Sequence, residues 1–325
     1  MKTAVLLSNM GGPDSLEAVE PYLTHIFLDP DIIDLPMPGM LRKRFARWLA
    51  HKRAPESTEI YRQIGGRTPL LEITKQQATL LENSLNAIKP DQFSVFVAMR
   101  YWHPFLEDVL REIVAQGITR LILVSLYPFY TRATTQYLAK LPESLTAAGA
   151  FAENHLQIVD RFSDHPAFLQ AMAQQIKDAL SAHPNMGFND LLFSAHSIPL
   201  RDIKKGDPYR DEIEAAVSAL KPLLPEDLRL HLSYQSKIGP VKWLAPATPD
   251  KIGELAAQGV RNLLVYPLGF VADNSETIYE IAILYGNLAR ALGIEHFVCI
   301  EALNANALFI DGLKEIILDR AGNLA

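Results

Sequence analysis

The 325 residues carry a formal charge of −6 and are 49% hydrophobic and 21% charged. That is a globular composition, not a disordered one, and the length suits two domains of about 150 residues each. Net acidity leaves no global positive field for nucleic acid, and the longest apolar runs, such as Leu121 to Leu126, fall far short of a membrane span. The single cysteine, Cys299, cannot build an intrachain disulfide, a Cys-rich zinc site or an iron–sulfur cluster. It lies in the apolar run Phe297 to Ile300 and reads as a core residue.

Met1-Lys2-Thr3 leads directly into a strand-like run, so no signal or transit peptide is expected and the setting reads as cytoplasmic and reducing. Strands are predicted at Ala4 to Leu7, Phe93 to Ala98, Leu121 to Leu126, Leu191 to Ser194, Leu230 to Tyr234, Leu263 to Tyr266 and Phe297 to Glu301. Several are continuously apolar, as parallel strands covered on both faces are. Helical patterns stand between them, at Phe105 to Gln116, Ala167 to Ala182 and Pro249 to Gln258. The alternation predicts a doubly wound α/β architecture with parallel sheets, whose sites lie beyond the carboxyl ends of the strands. Segment 138–155 is helical in composition and is expected to hold the crossover between halves.

An internal repeat runs through the chain. Gly117 to Tyr137 (GITRLILVSLYPFYTRATTQY) parallels Gly259 to Tyr279 (GVRNLLVYPLGFVADNSETIY), and Leu7 to Pro13 parallels Phe193 to Pro199. Two matches in the same chain order favour two similar domains. Met10 takes the place of His196, and Thr134 the place of Glu276. The first half therefore offers neutral groups where the second offers an imidazole and a carboxylate.

His196 ends the buried run Leu191 to Ala195, at a position that opens onto a crevice. Its ordinary pKa near 6.5 suits both proton uptake and ligation of a borderline metal; a hydrogen-bonded structural histidine is the alternative. Asp273, Glu276 and Glu280 recur at helical spacing, so Glu276 and Glu280 share a face and form an acidic rail for protons or a divalent cation. Helix capping by Asp273 and Asn274 is the plainer account of the same segment. Segment 35–55 has no acidic residue and carries Arg42, Lys43, Arg44, Arg47, Lys52 and Arg53 among Leu41, Phe45, Trp48 and Leu49, which fit one helical face. It reads as an amphipathic surface helix, as a lip for a flat apolar ligand with carboxylate arms, or as a membrane-surface contact. Neither the dinucleotide fingerprint nor the phosphate loop is present, nor G-x-S-x-G, nor HExxH, so an enzyme without an organic cofactor is expected.

These motifs together resemble ferrochelatase, over nearly the whole chain. The resemblance is carried by Asn9-Met10-Gly11-Gly12-Pro13, Tyr61 to Gly66, Arg100 to Pro104, Tyr127-Pro128, Ser194 to Pro199, Gly206 to Tyr209, Tyr234 to Pro240, Trp243-Leu244 and Glu276-Thr277. It implies two flavodoxin-like domains with a porphyrin cleft between them: residues 1–148 with the lip at about 35–55, residues 149–304 with the catalytic groups, and a helix in 305–325 returning to the first domain. It implies insertion of Fe²⁺, as substrate, into protoporphyrin IX with release of two protons, the last step of haem biosynthesis. His196 and Glu276 become the catalytic and metal-site pair, with Glu280 and Asp273 on the proton or metal path. Met10, Arg53, Tyr61, Thr68, Arg100, Tyr101 and Trp243 become porphyrin-binding residues.

The chain departs from the family pattern at Asn274, often a histidine, and at Ala282, often an aspartate. The cysteine-rich extension and presequence of animal enzymes are not seen, which implies a bacterial form without an iron–sulfur cluster. Met10 stands where the coproporphyrin-using branch has a tyrosine, which favours protoporphyrin IX over coproporphyrin III. A cobalt or nickel chelatase of a sirohydrochlorin-type ring and a non-catalytic tetrapyrrole carrier are the other readings. Either a monomer or a homodimer, with or without peripheral contact to a membrane, is compatible with the sequence.

Overall fold

The computed structural model describes residues 2–32, 38–147, 149–237, 239, 241–322 and 324. Positions 35–37 of the expected lip, the expected boundary residue Ala148, Ile238 and Pro240 of the Tyr234 to Pro240 motif, and Asn323 and Ala325 of the expected last helix lie outside the described residues. The chain divides into two compact units. One holds Met1–Tyr127, Thr131–Arg161 and Leu313–Ala325; the other holds Pro128–Tyr130 and Phe162–Gly312.

The sheet of the first unit contains β1 (Thr3–Asn9), β2 (Phe93–Met99), β3 (Arg120–Ser125) and β4 (Leu156–Val159). That of the second contains β5 (Asp190–His196), β6 (Arg229–Gln235), β7 (Asn262–Leu268) and β8 (His296–Cys299). The strand orders are β2-β1-β3-β4 and β6-β5-β7-β8, and every pairing is parallel. In each order the chain reverses direction across the sheet beside the first strand, which places the topological switch between β1 and β3 and between β5 and β7.

The central strands explain themselves. All seven residues of β1 are buried, as are the first six of β5, so each needs a helix layer on both faces. In the first unit, Leu106, Val109, Leu110 and Ile113 of the helix Leu106–Ala115 close over Ala4, Leu6, Leu121 and Leu123. In the second, Ile252 and Leu255 of the helix Thr248–Ala257 close over Leu192, Leu263 and Val265, where Ile281 and Tyr285 also pack. Each such aliphatic side chain stabilises the fold by about 2 kcal/mol.

The internal repeat is visible as geometry. Across the switch, Ser8 lies opposite Ser125 in one sheet, and Ser194 opposite Pro267 in the other. These are the positions the two sequence matches align. Gly117 (φ 71°) and Gly259 (φ 88°) end the helices that precede β3 and β7. Beyond each, the next N–H reaches back five residues, from Ile118 to the Ile113 carbonyl and from Val260 to the Leu255 carbonyl. That double closure needs a left-handed residue at the glycine.

Two elements differ from expectation. Segment 138–155 holds two short 3₁₀ turns and the helix Leu141–Ala147, and it delivers the chain to β4, a strand the sequence did not announce. β4 has four residues and sits at a sheet edge, too short for its periodicity to register. The helix Gly39–Gln63 buries Ala46, Ala50 and Ala54, an i, i+4 stripe of small residues. Its larger apolar residues point away from that stripe: Leu41 and Trp48 are each 55% exposed, and Met40 80%. Lys52 stands over the Trp48 ring at 5.4 Å.

Candidate active site

In the second unit, β5 carries His196 out of the core, with its side chain 41% exposed. The loop that follows is clamped. Leu200 N–H donates to the Lys242 carbonyl and Leu244 N–H to the Ile198 carbonyl, which holds half-buried Trp243 antiparallel to Pro199.

Beyond β7, the chain turns at Gly269 and enters an acidic segment. Asn274 accepts the Glu276 N–H on its Oδ1 at 2.8 Å, a capping contact. Asp273 is buried and saturated. Its carboxylate accepts from Thr277 Oγ1 at 2.7 Å, Asn304 Nδ2 at 2.6 Å and Ala302 N at 3.1 Å. It fastens the start of the helix to the loop after β8 and does not join Glu276 and Glu280. Asn274 makes the capping contact of the segment, and Asp273 ties the segment to the loop after β8.

From Glu276 to Tyr285 the helix winds as a π-helix. On an α-helix, side chains five residues apart point about 140° away from each other. The i→i+5 bonding of a π-helix widens each turn and brings residue i+5 back over residue i. Tyr285 can therefore donate its hydroxyl to Glu280 Oε1 at 2.5 Å.

A chain of polar contacts results. His196 Nδ1 lies 2.8 Å from Glu276 Oε2. The same oxygen accepts from Gln235 Nε2 and from Ser236 Oγ, each at 3.1 Å. Gln235 is held in turn: its Oε1 accepts from Ser194 Oγ at 2.7 Å, and Ser194 contacts Thr248 Oγ1 at 2.9 Å, all fully buried. Ser236 N–H donates to Glu280 Oε1 at 2.9 Å, and its Oγ is 2.5 Å from Glu280 Oε2.

The charges follow from this arrangement. Burial disfavours the His196 imidazolium, but the Glu276 charge and hydrogen bond, with Glu280 behind, outweigh it and raise its pKa above the ordinary value. Burial raises Glu276, yet His196 and the hydrogen bonds from Gln235 and Ser236 hold it below the usual carboxylate range. Burial and the neighbouring Glu276 charge push Glu280 up, against its bonds to Ser236 and Tyr285. With Nδ1 committed to Glu276, Nε2 is the His196 atom left for a substrate. Among the described residues, no three His, Cys, Asp or Glu side chains converge on one metal position.

The sequence-predicted residues of the first unit fall into smaller groups. Met10 follows β1 and packs half-buried against Tyr22, Ile26 and Tyr101. Arg100, 8% exposed, donates to Asp29 at 2.7 Å, to Asp31 at 3.1 Å and to the Ala133 carbonyl at 2.7 Å, with its guanidinium 4.1 Å from the Tyr137 ring centre. Tyr101 donates its hydroxyl to the same Asp29 oxygen at 2.8 Å. Thr68 is buried against Gly12: a side chain at Gly12 would meet Thr68 Cγ2 at 2.6 Å. Tyr61 is buried on the helix Gly39–Gln63, and Arg53, on the same helix, is half-buried and 3.4 Å from Glu56.

The sequence model of the ferrochelatase family matches residues 2–321. The chain belongs to the ferrochelatase family. A ferrochelatase of Geotalea uraniireducens (strain Rf4) is 46% identical over 317 residues, 97% of each chain. One of Aquifex aeolicus (strain VF5) is 40% identical over 319 residues, 98% of this chain and 99% of the other. Among solved structures, the sirohydrochlorin chelatase SirB of Bacillus subtilis subspecies spizizenii with cobalt superposes with a TM-score of 0.54 at 10% identity, covering 99% of this chain and 97% of that one. That likeness shows the chelatase fold. As a member of the ferrochelatase family the chain is an enzyme that inserts iron into a porphyrin.

Gln235, Ser236 and Tyr285 were not singled out by sequence reasoning. Gln235 and Ser236 stood inside the Tyr234 to Pro240 motif without an assigned part. Tyr285 is invisible to a 3.6-residue period, because only the wider winding turns it toward Glu280.

Proposed function

We propose that the porphyrin is protoporphyrin IX, that Fe²⁺ is the metal, and that His196 and Glu276 carry the proton chemistry. Replacing the two pyrrole hydrogens by Fe²⁺ releases two protons, and the ring must bend for its lone pairs to reach the metal. Strain of that kind is supplied by binding at the ring's periphery. One observation carries the reading: the 2.8 Å contact between His196 Nδ1 and Glu276 leaves Nε2 at the open end of β5. Glu276 favours hydrogen on Nδ1, so proton uptake falls to Nε2, and the carboxylate stabilises the imidazolium that forms. Imidazole and carboxylate oxygen also suit transient ligation of Fe²⁺. Glu280 extends the acidic path from Glu276 toward solvent.

Met10 supports protoporphyrin IX, since a half-buried thioether offers no strong hydrogen bond to a further carboxylate arm. The outward apolar face of the helix Gly39–Gln63, flanked by cations, supports its reading as a lip, with Arg53 available to a propionate.

The test is stopped-flow absorbance with Fe²⁺, Co²⁺ and Zn²⁺ against protoporphyrin IX and coproporphyrin III. Protoporphyrin IX is expected to give the larger kcat/KM with Fe²⁺. H196A is expected to lose turnover by about a hundredfold or more while porphyrin still binds. Near-normal turnover in H196A would overturn the assignment.

A further inference from the structure

Behind Glu276, four neutral polar groups stand sealed from solvent. Ser194 on β5, Ser233 and Gln235 on β6, and Thr248 at the head of the helix Thr248–Ala257 are each no more than 1% exposed. Thr248 is brought to the sheet by the chain before it: the Tyr234 N–H donates to the Pro246 carbonyl, and Ala247 pairs with Tyr234. Its Oγ1 lies 2.9 Å from Ser194 Oγ and 3.0 Å from Ser233 Oγ.

The hydrogens of this row run one way. Glu276 Oε2 accepts from the Gln235 amide nitrogen at 3.1 Å, and a carboxylate offers no hydrogen in return. The Gln235 amide oxygen therefore faces Ser194, whose single hydrogen it takes at 2.7 Å. The contact between Ser194 and Thr248 then uses the Thr248 hydrogen, and that between Thr248 and Ser233 uses the Ser233 hydrogen. Bonds aligned head to tail in a dry interior strengthen one another.

From this series we infer that Ser194, anchored by Thr248, is a positioning residue for iron insertion: it grips the Gln235 amide with the NH₂ on Glu276 and so fixes that carboxylate opposite His196. The inference rests on the proposed part of Glu276 in the reaction. Ser194 is fully buried and acts only through its neighbours. The end torsion of a glutamine is broad, so the amide keeps one facing only while a donor meets its oxygen. Without the Ser194 hydroxyl that oxygen is orphaned, and the amide can turn it onto Glu276 and push the carboxylate away from His196. A misplacement of about 1 Å is enough to slow a reaction by up to about a hundredfold.

Steady-state kinetics with Fe²⁺ and protoporphyrin IX test the assignment. S194A is expected to lose about tenfold in kcat, with the porphyrin KM within about twofold. T248V keeps the shape of the side chain without its hydrogen and is expected to lose about threefold; T248S restores the hydroxyl and is expected to return kcat nearly to the parental value. The deciding measurement is S194A in an E276Q background, with T248V/E276Q repeating it in a milder variant. With the carboxylate gone there is nothing left to position, so each double variant is expected to be as slow as E276Q and no slower. Parental kcat in S194A, a T248S as slow as T248V, or a further loss of about tenfold in S194A/E276Q overturns the positioning role. If E276Q itself turns over normally, the assignment of Glu276 fails instead.

Discussion

The carboxyl ends of β1 and β5 hold the same place in two sheets of the same strand order, yet they present opposite chemistry. After β1 the charges close on themselves. Arg100 is buried against Asp29 and Asp31 and capped by the Tyr137 ring, and Met10 adds only an apolar surface. After β5 the charges form an open series, from a half-exposed imidazole through one carboxylate to a second. The repeat supplies position; the side chains placed there decide whether a strand end closes its charges or leaves them in series.

Substitutions should separate the two ends by what they damage. The largest expected effect is on turnover: E276Q should lower kcat by about a hundredfold with little change in porphyrin affinity, whereas M10L should stay within about twofold. Steady-state kinetics with Fe²⁺ and protoporphyrin IX checks both, and equal losses would erase the contrast. At the closed end the damage should be to stability. D29N leaves Asp31 as the carboxylate paired with Arg100 and should cost about 2 kcal/mol in urea unfolding, with kcat of the folded protein nearly unchanged.

The third test concerns pH. His196 is raised from 6.5, so its stabilising effect is complete below that value and fades as pH climbs through the elevated one. Glu276 is lowered from 4.5, so its effect is complete above that value and is lost as pH falls through the depressed one. The stability gap between parent and E276Q should therefore be widest from 4.5 to 6.5. In E276Q, burial should dominate and His196 should titrate lower than in the parent, which NMR of the imidazole can follow. The smallest expected effect is that of Y285F, a loss of about threefold in kcat, the worth of one modest hydrogen bond.

The two ends also differ in how far the sequence discloses them. Continuous apolar runs reveal the central strands, since a strand covered on both faces needs little else; β4, at an edge and four residues long, leaves no such trace. His196, Glu276 and Glu280 are legible because a strand end and a helical spacing of four are local patterns. Arg100 is visible as a residue, but its partners are not: Asp29 and Asp31 stand 71 and 69 positions away. Asp273 shares the spacing of the rail and is claimed instead by the loop after β8, a tertiary contact that no period encodes.

The broad winding from Glu276 to Tyr285 sets which spacing brings a side chain onto Glu280. Removing a single residue, Ile283 for instance, would let the segment relax into ordinary α-helical pitch with the tyrosine four positions beyond Glu280, about 40° from it and still on its face. A one-residue insertion between Glu280 and Tyr285 is therefore expected to part the pair, whereas a one-residue deletion is expected to keep it.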